Sequence, residues 1–162
     1  DGRSLWGDTQ SVEIVEPSEP EHLRYAVANG MLVAVWQQDD GARIGCWTAR
    51  FDLATGPTGS WSEPERVESD LTENAYDAQV VVDDDGNATV VYFQETLGST
   101  NGMLRWRQWH AATQTFTADR LATLINTGVG DLALARDDQG NILAVWGTTS
   151  SSEREIWASW LE

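Results

Sequence analysis

The feature that most limits what this chain can fold into is a short phrase that occurs three times. The copies read AVANGMLVAVW, VVVDDDGNATVVY and LARDDQGNILAVW, and they end at Trp36, Tyr92 and Trp146. In each copy two apolar runs flank a tight turn, and the closing aromatic residue stands six positions after the turn glycine. Asn, Asp and Gly in such turns favour tight β-hairpins. The sequence is therefore predicted to be a repeat protein built on three hairpins.

Further strand-like segments follow each hairpin, and three similar units result. The predicted strands are 22–28, 31–38, 43–52 and 61–68 in the first unit, 77–82, 87–94, 103–111 and 116–124 in the second, and 131–136, 141–147 and 155–161 in the third. The third unit lacks a fourth strand. In the first unit, Trp61 on the fourth strand stands 31 residues after the turn glycine Gly30. If counting continues from the last residue to the first, Trp6 stands at a similar distance of 28 residues after Gly140. The N-terminal segment 1–16 is thus predicted to supply the missing strand.

The second strand of each unit is apolar on both faces, since MLVAVW, ATVVYF and ILAVW do not alternate with polar residues. A strand in a two-layer sandwich buries one face, whereas a continuous apolar run needs neighbours on both sides. Sheets packed face to face around an axis meet this need, and four antiparallel strands per unit are typical of a propeller blade. We therefore predict an all-β fold, a single β-propeller domain over residues 1–162, with four-stranded blades at about 22–69, 77–124 and 130–162.

These segments resemble β-propeller repeats of bacterial secreted and surface proteins, of the kind D-x-x-G-N-A-x-x-V-W, I-W-A-x-R and W-S-x-P. The matching stretches are DDDGNATVVY, DDQGNILAVW, IGCWTARFD, EIWASW and WSEPERVE. The resemblance implies a sialidase-like propeller architecture and a secreted or cell-surface location, while the composition leaves the compartment open. The sialidase Asp-box S-x-D-x-G-x-x-W does not occur, so sialidase activity is not carried over.

Three blades are too few to close a ring, because propellers have about four to eight blades. Two-fold dimers are the commonest closed assemblies of soluble proteins. We therefore expect a homodimer with six blades, in which residues 5–15 of one chain pair with residues 155–161 of the other.

The charge balance excludes some partners. The chain has 26 acidic residues against 10 basic ones, all of them Arg, and a net charge of −16. Such a chain repels nucleic-acid phosphates, so nucleic acid is not an expected partner. Cys46 is the one cysteine, which excludes an intrachain disulfide and a cysteine-rich zinc site. No run approaches the roughly 18 apolar residues of a membrane span, so membrane insertion is not expected.

Chemical motifs are scarce. Asp83, Asp85 and Asn87 alternate as calcium ligands could, but the EF-hand pattern needs Gly at its sixth position, and Gly86 is the fourth residue here. The turn geometry alone accounts for these residues, and we expect no metal and no cofactor. His22 and His110 share no spacing with a nucleophile and are expected to be strand-end residues. No catalytic residue is assigned.

Candidate ligand-binding residues follow from the propeller geometry. Arg24 and Arg136 lie on predicted innermost strands, where they face the channel or are neutralised by Asp77 and Asp131. Most of the nine tryptophans recur at repeat positions and are expected in the core. The remaining aromatic residues are candidate platforms for sugar rings, although packing between blades is the favoured explanation because alternate strand residues face neighbouring blades: Tyr76, Trp106, Trp109 and Trp160.

The leading functional hypothesis is a non-enzymatic binding or interaction module, with a ligand, carbohydrate as first choice, at the channel mouth. The long loops around residues 17–21, 39–42, 70–76, 95–102, 124–130 and 148–154 share that face. A glycan-acting hydrolase or lyase is the alternative, and a pocket joining two carboxyl groups with Arg24 or Arg136 favours it. A scaffolding fragment of a longer propeller is the third hypothesis.

Overall fold

The computed structural model describes residues 9–13, 18–95, 102–125, 128–149 and 153–161. Over these residues the fold is all-β, as the sequence predicts. The strands are β1 Glu21–Ala28, β2 Met31–Asp39, β3 Ile44–Asp52, β4 Glu65–Arg66, β5 Asn74–Val82, β6 Ala88–Glu95, β7 Gly102–His110, β8 Thr115–Phe116, β9 Arg120–Ile125, β10 Gly128–Arg136, β11 Ile142–Thr149 and β12 Arg154–Leu161. A short 3₁₀ helix, Leu53–Thr58, follows β3.

The strands form three antiparallel sheets in chain order. The first sheet runs β1-β2-β3-β4, the second β5-β6-β7-β8 with β9 also on β7, and the third β10-β11-β12. Tight turns join the first two strands of each sheet. In the first, Asn29 and Gly30 both have positive φ, 46° and 73°, which is the backbone that an Asn-Gly hairpin adopts.

The second sheet packs between the other two. β5 contacts β1, β2 and β3 on one side and β10 on the other. Val33 and Val35 of β2 pack in one core cluster with Val90 and Tyr92 of β6. The opposite face of β6 carries Val91, which packs in a second cluster with the third sheet. β6 is therefore buried on both faces, which is why its sequence is apolar without alternation.

The fourth strands differ from their predicted form. The predicted strand 61–68 is reduced to β4 and an isolated bridge between Phe51 and Trp61, because Pro64 between them has no N–H to donate to the ladder. The predicted strand 116–124 is divided into β8 and β9. Residues 9–13 form no strand, and the rest of the predicted N-terminal strand lies outside the described residues.

Two buried carboxylates tie the fourth-strand segments to their sheets. Glu68, which is 2% exposed, accepts the Cys46 backbone N–H at 3.1 Å and pairs with Arg66, whose Nη1 lies 2.6 Å from its Oε1. Asp119 accepts hydrogen bonds from the Tyr92 hydroxyl and from the Ser69 backbone N–H. Glu68 thereby satisfies the buried Cys46 N–H, and Asp119 satisfies the hydroxyl of the buried Tyr92.

Candidate functional site

The innermost strand of each sheet carries the same irregularity. The antiparallel register shifts between Glu21 and Arg24 in β1, between Tyr76 and Gln79 in β5, and between Gly130 and Ala133 in β10. A shift of this kind is a β-bulge, which turns a side chain away from the regular alternation of the strand. The three bulges thus occupy equivalent positions in the three sheets.

A residue with left-handed backbone sits at each bulge. The φ angles are 52° at His22, 52° at Asp77 and 56° at Asp131. Residues other than glycine are uncommon in this region, and Asn, Asp and His are the types that enter it most readily. Backbone strain of this kind concentrates at functional sites. The repeated bulge therefore directs attention to these three side chains.

All three side chains line one open cleft of about 690 Å³. Its volume lies in the range of small-ligand pockets. Arg24, Tyr76 and Glu95 line it as well. The other lining residues are Gln37, Ile44, Val129, Gly130 and Leu132. The cleft lies at the ends of the inner strands from which the long loops leave, which is the face where the channel mouth is predicted.

Gln37 organises the first-sheet side of the cleft. Its Nε2 donates to Glu21 Oε2 at 3.1 Å, and because a carboxylate only accepts, this bond fixes which end of the amide is oxygen. Gln37 Oε1 then lies 2.8 Å from His22 Nδ1 and accepts the Asp77 backbone N–H at 3.3 Å. His22 consequently carries its proton on Nδ1 when neutral, which leaves Nε2 as an acceptor.

Asp77 connects the second sheet to the third, since its Oδ2 accepts the Leu132 backbone N–H at 3.2 Å. Together with the bond from Gln37 this forms a continuous path of hydrogen bonds across all three inner strands. His22 is thus held by Gln37 within the first sheet, and Asp77 is held by polar contacts to both neighbouring sheets, so the fold itself fixes these two residues in the cleft.

The electrostatics of the cleft favour hydrogen bonding to neutral or cationic groups. Three carboxyl groups line it, from Asp77, Glu95 and Asp131, against the single guanidinium of Arg24. Burial raises the pKa of Tyr76 to about 12, and the charges of Glu95 and Asp77 add to the effect. The Tyr76 hydroxyl therefore keeps its proton at neutral pH and remains able to donate.

Four of the predicted site residues meet in this cleft: Arg24, Tyr76, Asp77 and Asp131. Within the described part of the chain Arg24 has no ion pair, and its Nη1 donates to the Leu23 carbonyl at 2.9 Å. The expected neutralisation of Arg24 by Asp77 or Asp131 through direct pairing is therefore absent among the described residues.

The other three predicted site residues lie elsewhere. Arg136 is at the far end of β10, where its Nη2 lies 3.3 Å from Asp84 Oδ2. Trp109 is 4% exposed and packs between the first and second sheets. Trp106 packs against the cluster between the second and third sheets. Trp109 is thus a core residue and no exposed platform, because alternate residues of β7 face the neighbouring sheets.

The acidic turns have a structural explanation. Asp83 Oδ1 accepts the backbone N–H groups of Asp85 and Asn87, and Asp137 does the same with Gln139 and Asn141. These bonds close the hairpin turn on itself. Over the described residues no group of three or more His, Cys, Asp or Glu side chains is arranged to hold a metal ion. No helix among them is long and apolar enough to cross a membrane.

Sequence reasoning did not assign His22, Gln37 or Glu95 to the site. One signal was present, since His22, Asp77 and Asp131 stand 55 and 54 residues apart, close to the repeat length. All three belong to residue types that tolerate positive φ. Their recurrence at this spacing on three inner strands is the sequence signal of a repeated bulge.

Comparison with known proteins adds evidence on the fold. Neither a protein-family model nor a curated protein matches this sequence. Among solved structures, the chain is similar to the crystal structure of an endo-arabinase from Bacteroides thetaiotaomicron VPI-5482, with a TM-score of 0.59 and 13% sequence identity. The match covers 85% of this chain and 55% of the arabinase chain, so this chain spans little more than half of that protein. The likeness supports an all-β, propeller-like fold.

Proposed function

We propose that this protein binds carbohydrate in the cleft between its inner strands. The observation that carries the proposal is the convergence of His22, Asp77 and Asp131, from three equivalent bulges, in one cleft with Tyr76. Sugars are recognised by several fixed polar groups acting together with an aromatic face. The hydrogen bonds through Gln37 and Asp77 hold His22 and Asp77 in place, which lowers the entropy cost of binding.

The charge of the cleft narrows the ligand class. Three carboxyl groups and one guanidinium give it an acidic character, which disfavours polyanionic glycans such as uronic-acid polymers. Neutral glycans, whose hydroxyl groups donate to carboxylates, fit this set of acceptors. The endo-arabinase to which the fold is similar is named for an activity on such a polymer, so arabinan belongs among the first ligands to test.

A glycan array followed by calorimetry tests the proposal. The chain should retain neutral glycans, and Asp77→Asn should weaken binding by at least tenfold, because it removes a charged acceptor while Asn still tolerates the positive φ. Asp85→Asn is the matched control, since Asp85 is an exposed acidic residue at the far end of the same hairpin. Absence of binding to every glycan, with and without calcium, would refute the proposal.

Glycan cleavage is the second candidate, and one observation favours it. Asp77, Glu95 and Asp131 share the cleft with Arg24, which is the convergent set of carboxyl groups that a glycan hydrolase or lyase needs. Incubation of the protein with arabinan and other neutral polysaccharides, followed by chromatography of the products, separates the two candidates. New reducing ends that disappear in Asp131→Asn indicate glycan cleavage, with unsaturated sugars among the products for a lyase and without them for a hydrolase. Binding without products indicates a binding module.

A further inference from the structure

The two outer sheets of the stack each leave large apolar side chains exposed on the face turned away from the second sheet. On the first sheet these belong to β1, whereas Ala34, Trp36 and Ala49 on the same face are buried. On the first sheet Tyr25 and Val27 of β1 pair with Ala34 and Leu32 of β2, so they lie on the face opposite the second sheet. Tyr25 is 70% exposed and Val27 is 52% exposed, and Leu23 beside them is 61% exposed. These are large apolar side chains on a regular strand, which a monomer rarely leaves in contact with water as a group.

The corresponding residues of the second sheet are buried. Val82 pairs with Ala88, which stands two positions after the turn glycine Gly86. In the same way Val27 pairs with Leu32, which stands two positions after Gly30. Val80 and Val82 therefore match Tyr25 and Val27, and they are only 8% and 7% exposed because the first sheet covers them. The first sheet has no such neighbour among the described residues.

The opposite end of the stack shows the same difference. Ile156 and Trp160 of β12 pair with Gly147 and Leu143 of β11, on the face turned away from the second sheet. Ile156 is 83% exposed and Trp160 is 60% exposed. Val145 lies on this face too. The equivalent residues of the first and second sheets are Val35 and Val91, and both are fully buried against the next sheet.

The two uncovered faces are complementary. Between the first and second sheets, a face bearing Val33 and Val35 packs on a face bearing Tyr92. Val80 and Val82 belong to the same cluster. The exposed face of the third sheet carries Leu143 and Val145 at the positions of Val33 and Val35, and β1 of the first sheet carries Tyr25 and Val27 at the positions of Val80 and Val82. Trp36, at the position of Tyr92, is already buried within its own chain. The outer face of the third sheet can therefore pack on the outer face of a first sheet in the way that the first sheet packs on the second.

We propose that a second copy of this chain covers both faces, with its third sheet on the first sheet of the partner and its first sheet on the third. A two-fold axis relates the copies, because both contacts are then the same. The inner strands of the two copies enclose a common channel, so the cleft of each chain is completed by the other. The proposal rests on sheet packing and is independent of the proposed glycan binding.

The exposed area is sufficient for such an association. A fully exposed aliphatic side chain contributes about 90 Å² and an aromatic one about 200 Å². On this basis the exposed parts of Leu23, Tyr25, Val27, Ile156 and Trp160 amount to about 450 Å² per chain, and about 900 Å² for the pair. This total approaches the roughly 1,000 Å² of a specific interface before the half-buried side chains around these residues are counted.

An open strand edge supports the same partner. β3 pairs with β4, and β7 pairs with β8 and β9, whereas the outer edge of β12 has no strand beside it in the described chain. Unpaired edges are sites of strand addition from another chain.

Light scattering after size-exclusion chromatography at micromolar concentration tests the proposal. The wild-type chain should have a mass of twice 17.9 kDa. Tyr25→Arg and Ile156→Arg, one in each face, should both give monomers, because each buries an unpaired charge at the contact. Both positions are exposed in the single chain, so the variants should keep the native far-UV circular dichroism spectrum. Leu121→Arg, at a 50% exposed position of β9, is the control and should remain dimeric.

Three results would overturn the proposal. If the wild-type chain is a monomer, a second copy does not cover the two faces, and further sheets of a longer chain would have to cover them. A mass above that of a dimer would indicate an open array. Folded Tyr25→Arg and Ile156→Arg variants that stay dimeric would place the contact elsewhere. If an arginine variant unfolds, the same pair of positions is tested with serine, for which weakened dimerisation is expected and unchanged dimerisation would count against the proposal.

Discussion

The ionisation of Glu68 should make the protein less stable as the pH rises through the weakly acidic range. Its carboxyl group is buried below the first sheet, and burial raises its pKa from 4.5 to about 6 even though Arg66 and the Cys46 N–H oppose the effect. The folded chain therefore holds this proton more tightly than the unfolded chain does. The contribution of Glu68 to stability is fully present below about pH 4.5 and is lost as the pH passes about 6.

The magnitude follows from the two pKa values. A rise from 4.5 to about 6 corresponds to about 2 kcal/mol of unfolding free energy. Other carboxyl groups titrate in the same experiment, and those with lowered pKa values, such as Asp70 and Asp137, act in the opposite direction at lower pH. A comparison with Glu68→Gln removes their contribution, because the variant shares every other titrating group.

Urea unfolding followed by tryptophan fluorescence, at a fixed protein concentration, measures the effect. The unfolding free energy of the wild type minus that of Glu68→Gln should fall by about 2 kcal/mol between about pH 4 and pH 7.5. Glu63→Gln, at an exposed position five residues earlier, is the control for the effect of changing a carboxyl group to an amide outside the buried site. A wild-type minus Glu68→Gln difference that stays constant, or increases with pH, would refute the assignment of a raised pKa to this carboxyl group.

Four further predictions concern single side chains. A Cβ on Gly45 would lie 2.5 Å from Arg66 Nη1 and 2.7 Å from Glu68 Oε1, so Gly45→Ala should lower the unfolding free energy by about 1–3 kcal/mol in urea titrations. Asp119→Ala leaves the buried Tyr92 hydroxyl and the Ser69 N–H without their acceptor and should cost about 2–4 kcal/mol, whereas a cost below about 0.5 kcal/mol would contradict this contact. At Asp131, with φ of 56°, valine should reduce the thermal midpoint while glycine should keep or raise it; equal effects would argue against a strained bulge. Burial and the charges of Glu68 and Asp77 raise the pKa of the Cys46 thiol well above its usual value, so Ellman's reagent should label it only at the rate of unfolding, and fast labelling of the native protein would be inconsistent with its burial.

The architecture was accessible from the sequence because its signals are local and repeated. Turn residues at Asn29-Gly30 and Asp83–Gly86 predict hairpins by backbone preference alone, and the continuous apolar run of β6 predicts burial on both faces. The fourth strands were less predictable. Pro64 is a local signal that interrupts the strand at 61–68. The break between β8 and β9 lies beside Asp119, whose bonds to Tyr92 and Ser69 come from distant parts of the chain that no local pattern contains.

Which residues line the candidate cleft was predictable in part for a similar reason. Arg24, Tyr76, Asp77 and Asp131 lie near the start of inner strands, where strand order places them at one end of the sheets. Gln37 could not be found this way, because its role depends on hydrogen bonds to Glu21, His22 and the Asp77 backbone from three different directions. Trp109 was misplaced since its exposure depends on which face of β7 the first sheet covers.

The backbone of the repeated bulge restricts which residue types can occupy positions 22, 77 and 131 in the cleft. A position whose backbone must be left-handed accepts glycine, asparagine, aspartate and histidine far more readily than other residues. Three of these four carry a group that can hydrogen-bond, and two can carry charge. Mutation at residues 22, 77 and 131 is therefore steered by backbone geometry towards acids, bases and amides, which are the groups that recognise or transform polar ligands. Proteins built from such repeats could therefore change their ligand by exchanging these residue types at the bulge while the sheets stay the same.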